Sequence, residues 1–256
     1  MNKYALVTGA SSGIGFQYAR VMANRGYNVI IVSNEMAVNE KSDELKKEFP
    51  DVEFVPIVCD LGRPESAKEL YNLCIGYEVE VLINNAGVYH DRDFLDDSEE
   101  FNKLIFNLHV NTPAMLLYFF AKDMVARGKG YILNMSSITN RIAVQRLGTY
   151  GSTKAFLSAF SRSVHIELKY KGVIVTCVRP GAVDTGLYSI RKGATKVGLA
   201  LGYIVKPEYL ARHAVKAMFR GKADVTIPWF WNKLLIILVA LIPTWVLRLV
   251  RKWGIF

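Results

Sequence analysis

The chain opens with the stretch Tyr4-Ala5-Leu6-Val7-Thr8-Gly9-Ala10-Ser11-Ser12-Gly13-Ile14-Gly15, an apolar run followed by a glycine-rich turn. The apolar run predicts a buried strand, and the pattern of residues 16–25 predicts a helix after the turn. Gly9 allows a tight turn, Gly13 lets backbone N–H groups approach an anion, and Gly15 lets the helix pack close to the strand. A pyrophosphate would then lie at the helix N-terminus, where free N–H groups favour negative charge. The stretch therefore predicts a dinucleotide site.

Apolar strand candidates alternate with helical segments along most of the chain. The predicted strands are residues 4–7, 28–32, 53–58, 81–84, 130–135 and 173–178. This order implies crossover helices and a parallel sheet, and near-continuous apolar strands are typical of a sheet that is covered on both faces. We therefore predict an α/β fold over residues 1–227, a Rossmann-like doubly wound parallel sheet with helices on both faces. An apolar and basic C-terminal helical extension is predicted over residues 228–256.

Further motifs follow downstream in a fixed order. They are Asn84-Asn85-Ala86-Gly87, Asn111, Ser137, Tyr150, Lys154 and Arg179-Pro180-Gly181. Together with the glycine turn, this set resembles the short-chain dehydrogenase/reductase family over residues 3–226, and the separation of 13 between Ser137 and Tyr150 is the usual one there. The resemblance implies a nicotinamide-dependent oxidoreductase that interconverts ketones and secondary alcohols.

The phenol of Tyr150 and the amine of Lys154 are one helical turn apart. A ketone accepts hydride only if its oxygen gains a proton or a hydrogen bond as negative charge develops. Free tyrosine has a pKa of about 10, which a nearby ammonium lowers. Tyr150 is thus the predicted acid in reduction and base in oxidation. The resemblance implies that Lys154 also holds the nicotinamide ribose, that Ser137 hydrogen-bonds the carbonyl oxygen, and that Asn111 holds a backbone-linked water that relays protons.

The resemblance also assigns cofactor contacts position by position. The predicted contacts are Gly9, Ser11, Ser12, Gly13, Ile14, Gly15, Ser33, Asn34, Asp60, Leu61, Asn85, Ala86, Gly87, Tyr150, Lys154, Pro180, Gly181, Val183 and Thr185. Asn84 matches the same loop beside the adenosine ribose. Asp60 matches an acid that contacts adenine, and a local helix N-terminal acid is the alternative interpretation of that residue.

The choice of nicotinamide cofactor depends on the end of the second predicted strand. An acid there bonds the ribose 2′-hydroxyl of NAD and repels a 2′-phosphate. This chain has Ser33-Asn34 at that place, followed by Glu35. The acid is missing at position 33, and so is the arginine that NADP-preferring relatives often carry at position 34. The residues favour NADP(H) and leave NAD(H) as the alternative.

The cysteines and histidines predict no metal site. Cys59, Cys74 and Cys177 show no metal or redox spacing, which favours buried thiols in a reducing compartment. The histidines form no metal-ligand pattern. The first predicted strand starts within a few residues of Met1, which leaves no room for a signal peptide, so we expect a cytoplasmic active site.

The net charge of +9 is concentrated near the C-terminus. Residues 191–256 hold 12 basic and 2 acidic side chains, a net +10, which leaves −1 for residues 1–190. The apolar stretch 234–247 spans 14 residues and contains Pro243, whereas a spanning helix needs about 20. Tryptophans and basic residues flank this stretch, which favours a peripheral anchor at the inner face of a membrane, with anionic lipid rather than nucleic acid as the partner. A full span, or an arm that packs on its own domain or on a neighbouring subunit, is the alternative. We also expect a homodimer or a homotetramer.

The segment after Thr185, residues 186–205, matches the family's variable substrate loop. Its apolar side chains suit a lipid-sized pocket, and its bases suit an acidic headgroup or a thioester phosphate. We therefore expect a lipophilic carbonyl or alcohol substrate, as in the membrane-associated hydroxysteroid dehydrogenases and the reductases of long-chain 3-oxoacyl thioesters or 3-ketosphinganine that the chain resembles. The alternatives are a soluble small-carbonyl reductase with an oligomerising tail and a non-catalytic NADP(H)-binding regulator. The intact catalytic set speaks against the regulator.

Overall fold

A computed structural model of the chain describes residues 3–89, 91–141, 146–185, 198–199, 201–228 and 230–232. The strands are β1 Lys3–Thr8, β2 Asn28–Ser33, β3 Phe54–Val58, β4 Glu78–Asn84, β5 Gly130–Met135, β6 Val173–Pro180, β7 Ala182–Val183, β8 Ile204–Val205 and β9 Asp224–Ile227. The α-helices are α1 Gly13–Ala23, α2 Ala37–Glu48, α3 Ser66–Leu73, α4 Glu99–Phe106, α5 Thr112–Ala126, α6 Gly148–Leu168 and α7 Pro207–Phe219. A π-helical turn, Asn107–Asn111, joins α4 to α5.

Seven strands form one parallel sheet in the order β3-β2-β1-β4-β5-β6-β9, and β7 pairs with β8 in a separate parallel ribbon. In the large sheet Val7 lies between Ile31 of β2 and Ile83 of β4. The strand order reverses between β1 and β4, and open α/β sheets bind ligands in the crevice at such a point. The glycine turn follows β1 and the Asn-Asn-Ala-Gly segment follows β4, so both predicted cofactor segments begin at this crevice.

Helices cover both faces of the sheet. Along β1, Ala5 and Val7 belong to the core under α1, α2 and α7, whereas Tyr4 and Leu6 belong to the core under α3, α5 and α6. Because both faces are buried, the central strands are apolar at successive positions, as in Val29-Ile30-Ile31-Val32. This architecture confirms the predicted doubly wound α/β fold.

Two elements begin three residues before the predicted start, whereas the other predicted boundaries differ by two residues at most. β4 begins at Glu78, three residues before the predicted start, because the charge of Glu80 is satisfied inside the strand. Its carboxylate pairs with Lys3 at 2.7 Å and Lys129 at 3.2 Å and accepts a hydrogen bond from the Tyr27 hydroxyl at 2.7 Å. α1 begins at Gly13 rather than at residue 16, because the glycine turn itself supplies the first helical turn.

Within the described residues, the helical segment Glu99–Ala126 is long and apolar enough to cross a membrane by length and composition. However, 44% of its apolar window is buried, and Leu116, Phe120 and Met124 pack into the core beneath the sheet, as expected of a core helix. The predicted substrate loop at 186–197 and the C-terminal extension at 229 and 233–256 lie outside the described residues.

Candidate active site

A cavity of about 750 Å³ lies at the carboxyl ends of the strands. Its wall contains all the predicted cofactor contacts, from Gly9 in the glycine turn to Thr185 after β6, and it also contains Ser137. The topology explains this grouping, because turns that follow parallel strands all open on the same edge of the sheet. Asn111 and Asn84, both assigned to the site from the sequence, do not line the cavity.

The glycine turn lets a bulky anion approach its backbone, because no side chains stand at the glycines. The backbone around Gly9 and Gly15 is packed too closely to accommodate a Cβ. Gly9 has a φ of 66°, and a Cβ there would lie 2.8 Å from the Ala86 Cα. A Cβ on Gly15 would collide with the Gly9 carbonyl oxygen. Ser12 precedes α1, and within the part of the chain that the structure describes its side chain makes no capping hydrogen bond to the first turn of that helix. The first backbone N–H groups of α1 are thus left for an anion, and the turn fits a dinucleotide phosphate.

Thr8 ties the glycine turn to the segment after β4. Its Oγ1 accepts hydrogen bonds from the backbone N–H groups of Asn85 and Ala86, both at 3.0 Å. The Asn85 side-chain amide donates to the carbonyl oxygens of Thr8 at 3.0 Å and Gly9 at 3.2 Å. These four bonds fix the two sides of the crevice relative to each other. Sequence reasoning gave Thr8 no role of its own, although its place between the strand and Gly9 could have indicated one.

The end of β2 contributes a small hydroxyl pair to the cavity. Ser33 is buried, and its hydroxyl donates to the Ser11 hydroxyl at 3.0 Å while it accepts from the Glu35 backbone N–H at 3.2 Å. Asn34 lies beside it on the cavity wall and is exposed. The carboxylate that would repel a 2′-phosphate is therefore replaced here by neutral groups.

Two residues assigned to the adenosine side have different surroundings. Asp60 lines the cavity, and its Oδ1 also accepts the Gly62 backbone N–H at 2.9 Å, so the cofactor contact and the local turn are compatible. Asn84 does not line the main cavity. Its side-chain amide donates to Asn134 Oδ1 at 2.8 Å and to the Pro113 carbonyl oxygen at 3.3 Å, which makes it a buried link between β4, β5 and α5. The cavity wall thus contains Asn85, Ala86 and Gly87, which follow Asn84 and are also predicted cofactor contacts.

Ser137, Tyr150 and Lys154 share the cavity wall. The Ser137 hydroxyl accepts the Thr139 backbone N–H at 3.2 Å, which leaves its own proton available to donate. The Lys154 Nζ lies 5.6 Å from the centroid of the Tyr150 ring, and the Tyr89 ring stands edge-on to that ring at 5.3 Å. The wall thus presents a hydroxyl donor, a phenol and an amine to one cavity.

Lys154 is buried, and its Nζ donates to the Met135 carbonyl oxygen at 3.0 Å. Burial lowers the pKa of Lys154 from its ordinary 10.5 to about 8, because the ammonium loses its water, and the nearby Cys177 acts weakly in the opposite direction. The Lys154 backbone carbonyl accepts the Ser136 hydroxyl at 2.7 Å. Lys154 is therefore rigidly held, and its charge changes in mildly alkaline solution.

Asn111 is not brought to the site, and His109 lies directly behind the cavity wall instead, in contact with the small space that Lys154 and Ala86 also line. Asn111 is exposed at the end of the π-helical turn. The wider π turn rotates the helix relative to a regular α-helix, so the inward-facing side chain is that of His109, which is 1% exposed. Its ring nitrogens lie 3.0 Å from the Val88 backbone nitrogen and 3.1 Å from Thr153 Oγ1. A histidine within an apolar stretch is the signal that could have identified this residue.

Apolar side chains that the motifs do not include form much of the remaining wall. They are Val88, Tyr89, Leu104, Leu108, Ile138, Leu147 and Tyr203. Several of them are adjacent in sequence to the residues discussed above, so the same turns place them on the cavity wall. Within the described residues no group of three His, Cys, Asp or Glu side chains could hold a metal, and the three cysteines are buried free thiols.

Comparison with known proteins agrees with this geometry. A family model described as short chain dehydrogenase matches residues 3–193. The very-long-chain 3-oxoacyl-CoA reductase-B of Danio rerio is 36% identical over 199 residues, which cover 75% of this chain and 63% of that protein. The very-long-chain 3-oxoacyl-CoA reductase of Homo sapiens is 30% identical over 251 residues, which cover 96% of this chain and 77% of that protein. The alignment thus spans less than two thirds of the zebrafish protein.

A solved structure is similar over nearly the whole chain. The short-chain dehydrogenase from Sphingobium yanoikuyae, solved in complex with NADPH, is 26% identical, with a TM-score of 0.79 over 91% of this chain and 92% of that one. Its cofactor is the one that the residues at positions 33 and 34 favour. The matches confirm the resemblance that the motifs indicated.

Proposed function

Because the chain belongs to the short-chain dehydrogenase family, we propose that it is an NADP(H)-dependent oxidoreductase that reduces the ketone of a long-chain 3-oxoacyl thioester. The observation that carries this proposal is the single cavity in which the dinucleotide cradle and Ser137, Tyr150 and Lys154 share a wall. The NADPH bound to the Sphingobium relative supports the cofactor, and the names of the zebrafish and human relatives support the thioester.

The residues of the wall divide the chemistry among them. When bound, the cofactor supplies a hydride to the carbonyl carbon. The Ser137 hydroxyl donates a hydrogen bond to the carbonyl oxygen, and the Tyr150 phenol gives that oxygen its proton as negative charge develops. The Lys154 ammonium stabilises the phenolate that remains and holds the nicotinamide ribose. The glycine turn and the backbone N–H groups of α1 hold the pyrophosphate.

The apolar part of the wall supports a substrate with a hydrocarbon chain. This part of the wall presents only uncharged, apolar side chains to the substrate, among them Leu104, Leu108, Ile138 and Leu147. Each CH₂ that is removed from water contributes about 0.8 kcal/mol. The value of kcat/KM should therefore rise along a series of 3-oxoacyl thioesters of increasing length, whereas a small-carbonyl reductase would give a flat series.

A cofactor-consumption screen tests the proposal. The purified full chain is assayed with NADPH and with NADH on 3-oxoacyl-CoA esters of graded length, ketosteroids and 3-ketosphinganine. The expected result is NADPH oxidation that is fastest with the long thioesters. Faster turnover of a ketosteroid or of 3-ketosphinganine would contradict the thioester, and no turnover of any ketone with either cofactor would contradict the oxidoreductase.

Replacing Ser33 with aspartate should shift the cofactor preference toward NADH by tenfold or more. A carboxylate in the place of the Ser33 hydroxyl would repel a 2′-phosphate, and each 1.4 kcal/mol of repulsion changes the ratio of the two cofactors by about tenfold. Ser33→Asn is the matched control, because it adds the same volume without the charge. The ratio of kcat/KM for NADPH and NADH is measured in all three proteins. If the ratio changes equally in Ser33→Asp and Ser33→Asn, the size of the new side chain and not its charge causes the change.

We further propose that the tail, residues 229–256, attaches the enzyme to one membrane leaflet beside the cavity. Its length and basic charge support a peripheral anchor. The described residues at its start add exposed apolar side chains, because Phe230 is 61% exposed and Trp231 is also exposed. Trp231 lies beside Gly202, and the chain neighbours Leu201 and Tyr203 of that glycine are exposed as well. Tyr203 also lines the cavity, so this surface continues into the site. A lipid-like ketone would then enter from the bilayer.

Ending the chain after Asn232 should release it from anionic vesicles while reduction of a water-soluble ketone persists. The cut is placed there because Asn232 is fully buried and packs against Gly181 of the cavity wall. Flotation of the full and shortened chains with neutral and anionic vesicles measures the effect. High salt should weaken binding of the full chain without abolishing it, since only the electrostatic part is screened. If the full chain binds neither kind of vesicle, and the shorter chain no longer forms an oligomer that the full chain forms, the tail is a subunit arm.

A further inference from the structure

His109 connects the loop after β4 to the helix that carries Tyr150 and Lys154. Its Nε2 lies 3.0 Å from the Val88 backbone nitrogen, and its Nδ1 lies 3.1 Å from Thr153 Oγ1. The Thr153 hydroxyl in turn donates to the Tyr150 carbonyl oxygen at 2.8 Å. The chain of contacts therefore starts one residue after the predicted cofactor loop and ends on the backbone of the predicted acid.

These partners require one tautomer of His109. A backbone N–H can only donate, so Nε2 must be the unprotonated acceptor of the Val88 bond. The Thr153 hydroxyl uses its proton on the Tyr150 carbonyl, so it accepts from Nδ1–H. The neutral ring with its proton on Nδ1 satisfies both contacts. The imidazolium would direct an Nε2–H against the Val88 N–H.

The surroundings of the imidazole leave it little freedom to move. A Cβ on Gly87 would lie 2.9 Å from the His109 Nε2 and 3.5 Å from the Lys154 Nζ, so the loop, the ring and the amine meet in one packed contact. The Tyr150 ring stands edge-on to the imidazole, with the centroids 5.7 Å apart. A change in the position of His109 would therefore be transmitted to both Tyr150 and Lys154.

We propose that His109 is a positioning residue of the active site. As the neutral Nδ1–H tautomer it sets the spacing between the loop after β4 and α6, and it thereby aligns Tyr150 and Lys154 with the cofactor. It takes the place in the predicted catalytic set that the motif pattern assigns to Asn111. This inference rests on the proposed function, because alignment is meaningful only if Tyr150 and Lys154 do the chemistry.

The electrostatic environment keeps His109 in the required form. Lys154 and Tyr150 on α6 are the titratable groups that face the ring, and the loop after β4 presents backbone and the Val88 side chain. Burial lowers the pKa of His109 well below its ordinary 6.5, and the positive charge of Lys154 lowers it further. His109 should therefore remain neutral throughout the range in which the enzyme works.

Four variants separate the alignment from simple packing. His109→Leu removes both hydrogen bonds. His109→Asn retains a donor near the position of Nδ1, and His109→Gln retains an acceptor near the position of Nε2. His165→Leu is the matched control, because His165 is also a buried histidine. It lies on α6 with a 2.8 Å bond to the Val175 carbonyl oxygen, and it does not line the small cavity that His109 shares with Lys154 and Ala86.

We expect His109→Leu to lower kcat by up to about 100-fold, the effect of a small misplacement of reacting groups, with a smaller change in KM. The asparagine and glutamine variants should each recover part of the loss. His165→Leu should lower the melting temperature by a similar amount and keep kcat. If His109→Leu keeps kcat within about threefold of the wild type while its melting temperature falls as in His165→Leu, His109 only packs and the proposal is overturned.

A spectroscopic measurement tests His109 without any assay of activity. The ¹⁵N NMR spectrum of the full chain should show a neutral ring protonated on Nδ1, unchanged between about pH 5.5 and pH 8. A ring that titrates near its ordinary pKa, or the Nε2–H tautomer, would overturn the proposal. A full chain that reduces no ketone would instead refute the proposed function. The tautomer and protonation state of His109 could still be measured in that case.

Discussion

Tyr150→Phe should lower the turnover of ketone reduction by about 10² to 10⁴-fold, because it removes the proton donor and little else. The phenyl ring keeps the edge-on contacts with Tyr89 and His109, so the cavity wall retains its shape. The dissociation constant of NADPH should therefore stay close to that of the wild type. Steady-state turnover on a confirmed substrate and NADPH fluorescence on the free protein measure the two quantities separately.

Tyr89→Phe is the matched control for this experiment, because Tyr89 presents a second phenol to the same cavity. Burial raises the pKa of Tyr89, and the charge of Asp91 raises it further, so this phenol holds its proton more firmly than an exposed one. Its loss should leave turnover near the wild-type rate. If Tyr150→Phe keeps more than about a tenth of the wild-type turnover, Tyr150 is not the acid.

The fold and the cofactor side of the cavity could be predicted because their signals are local. The run from Tyr4 to Val7 is a strand because it is apolar at every position, and the turn after it uses the positive φ of Gly9 and Gly13, which favours glycine. The strands that follow are apolar for the same reason, since both faces of the sheet are covered. Once the strands are parallel, the turns after β1, β2, β4 and β6 must meet at one edge, and the predicted contacts meet there.

The contribution of the π-helical turn between α4 and α5 could not be predicted in the same way. A motif fixes which residue types occur, but the π-helical turn Asn107–Asn111 changes which of them face inward. Asn111 consequently lies at the surface, and His109 reaches Val88 and Thr153. Glu80 shows a similar effect, because the three partners that satisfy its charge come from distant parts of the chain. Both cases depend on tertiary packing, which no local pattern contains.

Lys154→Met should give the second large effect, a fall in turnover together with weaker NADPH binding. The variant is one atom shorter than lysine but keeps an unbranched side chain, and it removes the charge that stabilises the Tyr150 phenolate and holds the ribose. With the pKa of Lys154 at about 8, wild-type ketone reduction should also decline as the pH rises through that value, and the variant should lack this decline. Unchanged NADPH affinity in Lys154→Met would refute the ribose contact.

The same substitution should stabilise the fold, so a loss of turnover in this variant could not be attributed to a loss of folding stability. The pKa of Lys154 falls from 10.5 to about 8 on folding, so the folded state holds the proton less firmly, and at 1.36 kcal/mol per pKa unit the buried ammonium costs about 3 kcal/mol below pH 8. Removing it loses the hydrogen bond to Met135, worth about 1 kcal/mol. Lys154→Met should therefore unfold at higher denaturant concentration at pH 7, and its advantage should shrink between about pH 8 and pH 10.5 as the wild-type folded state releases the proton. A variant that is both inactive and less stable at pH 7 would mean that the lysine supports the structure and not the reaction.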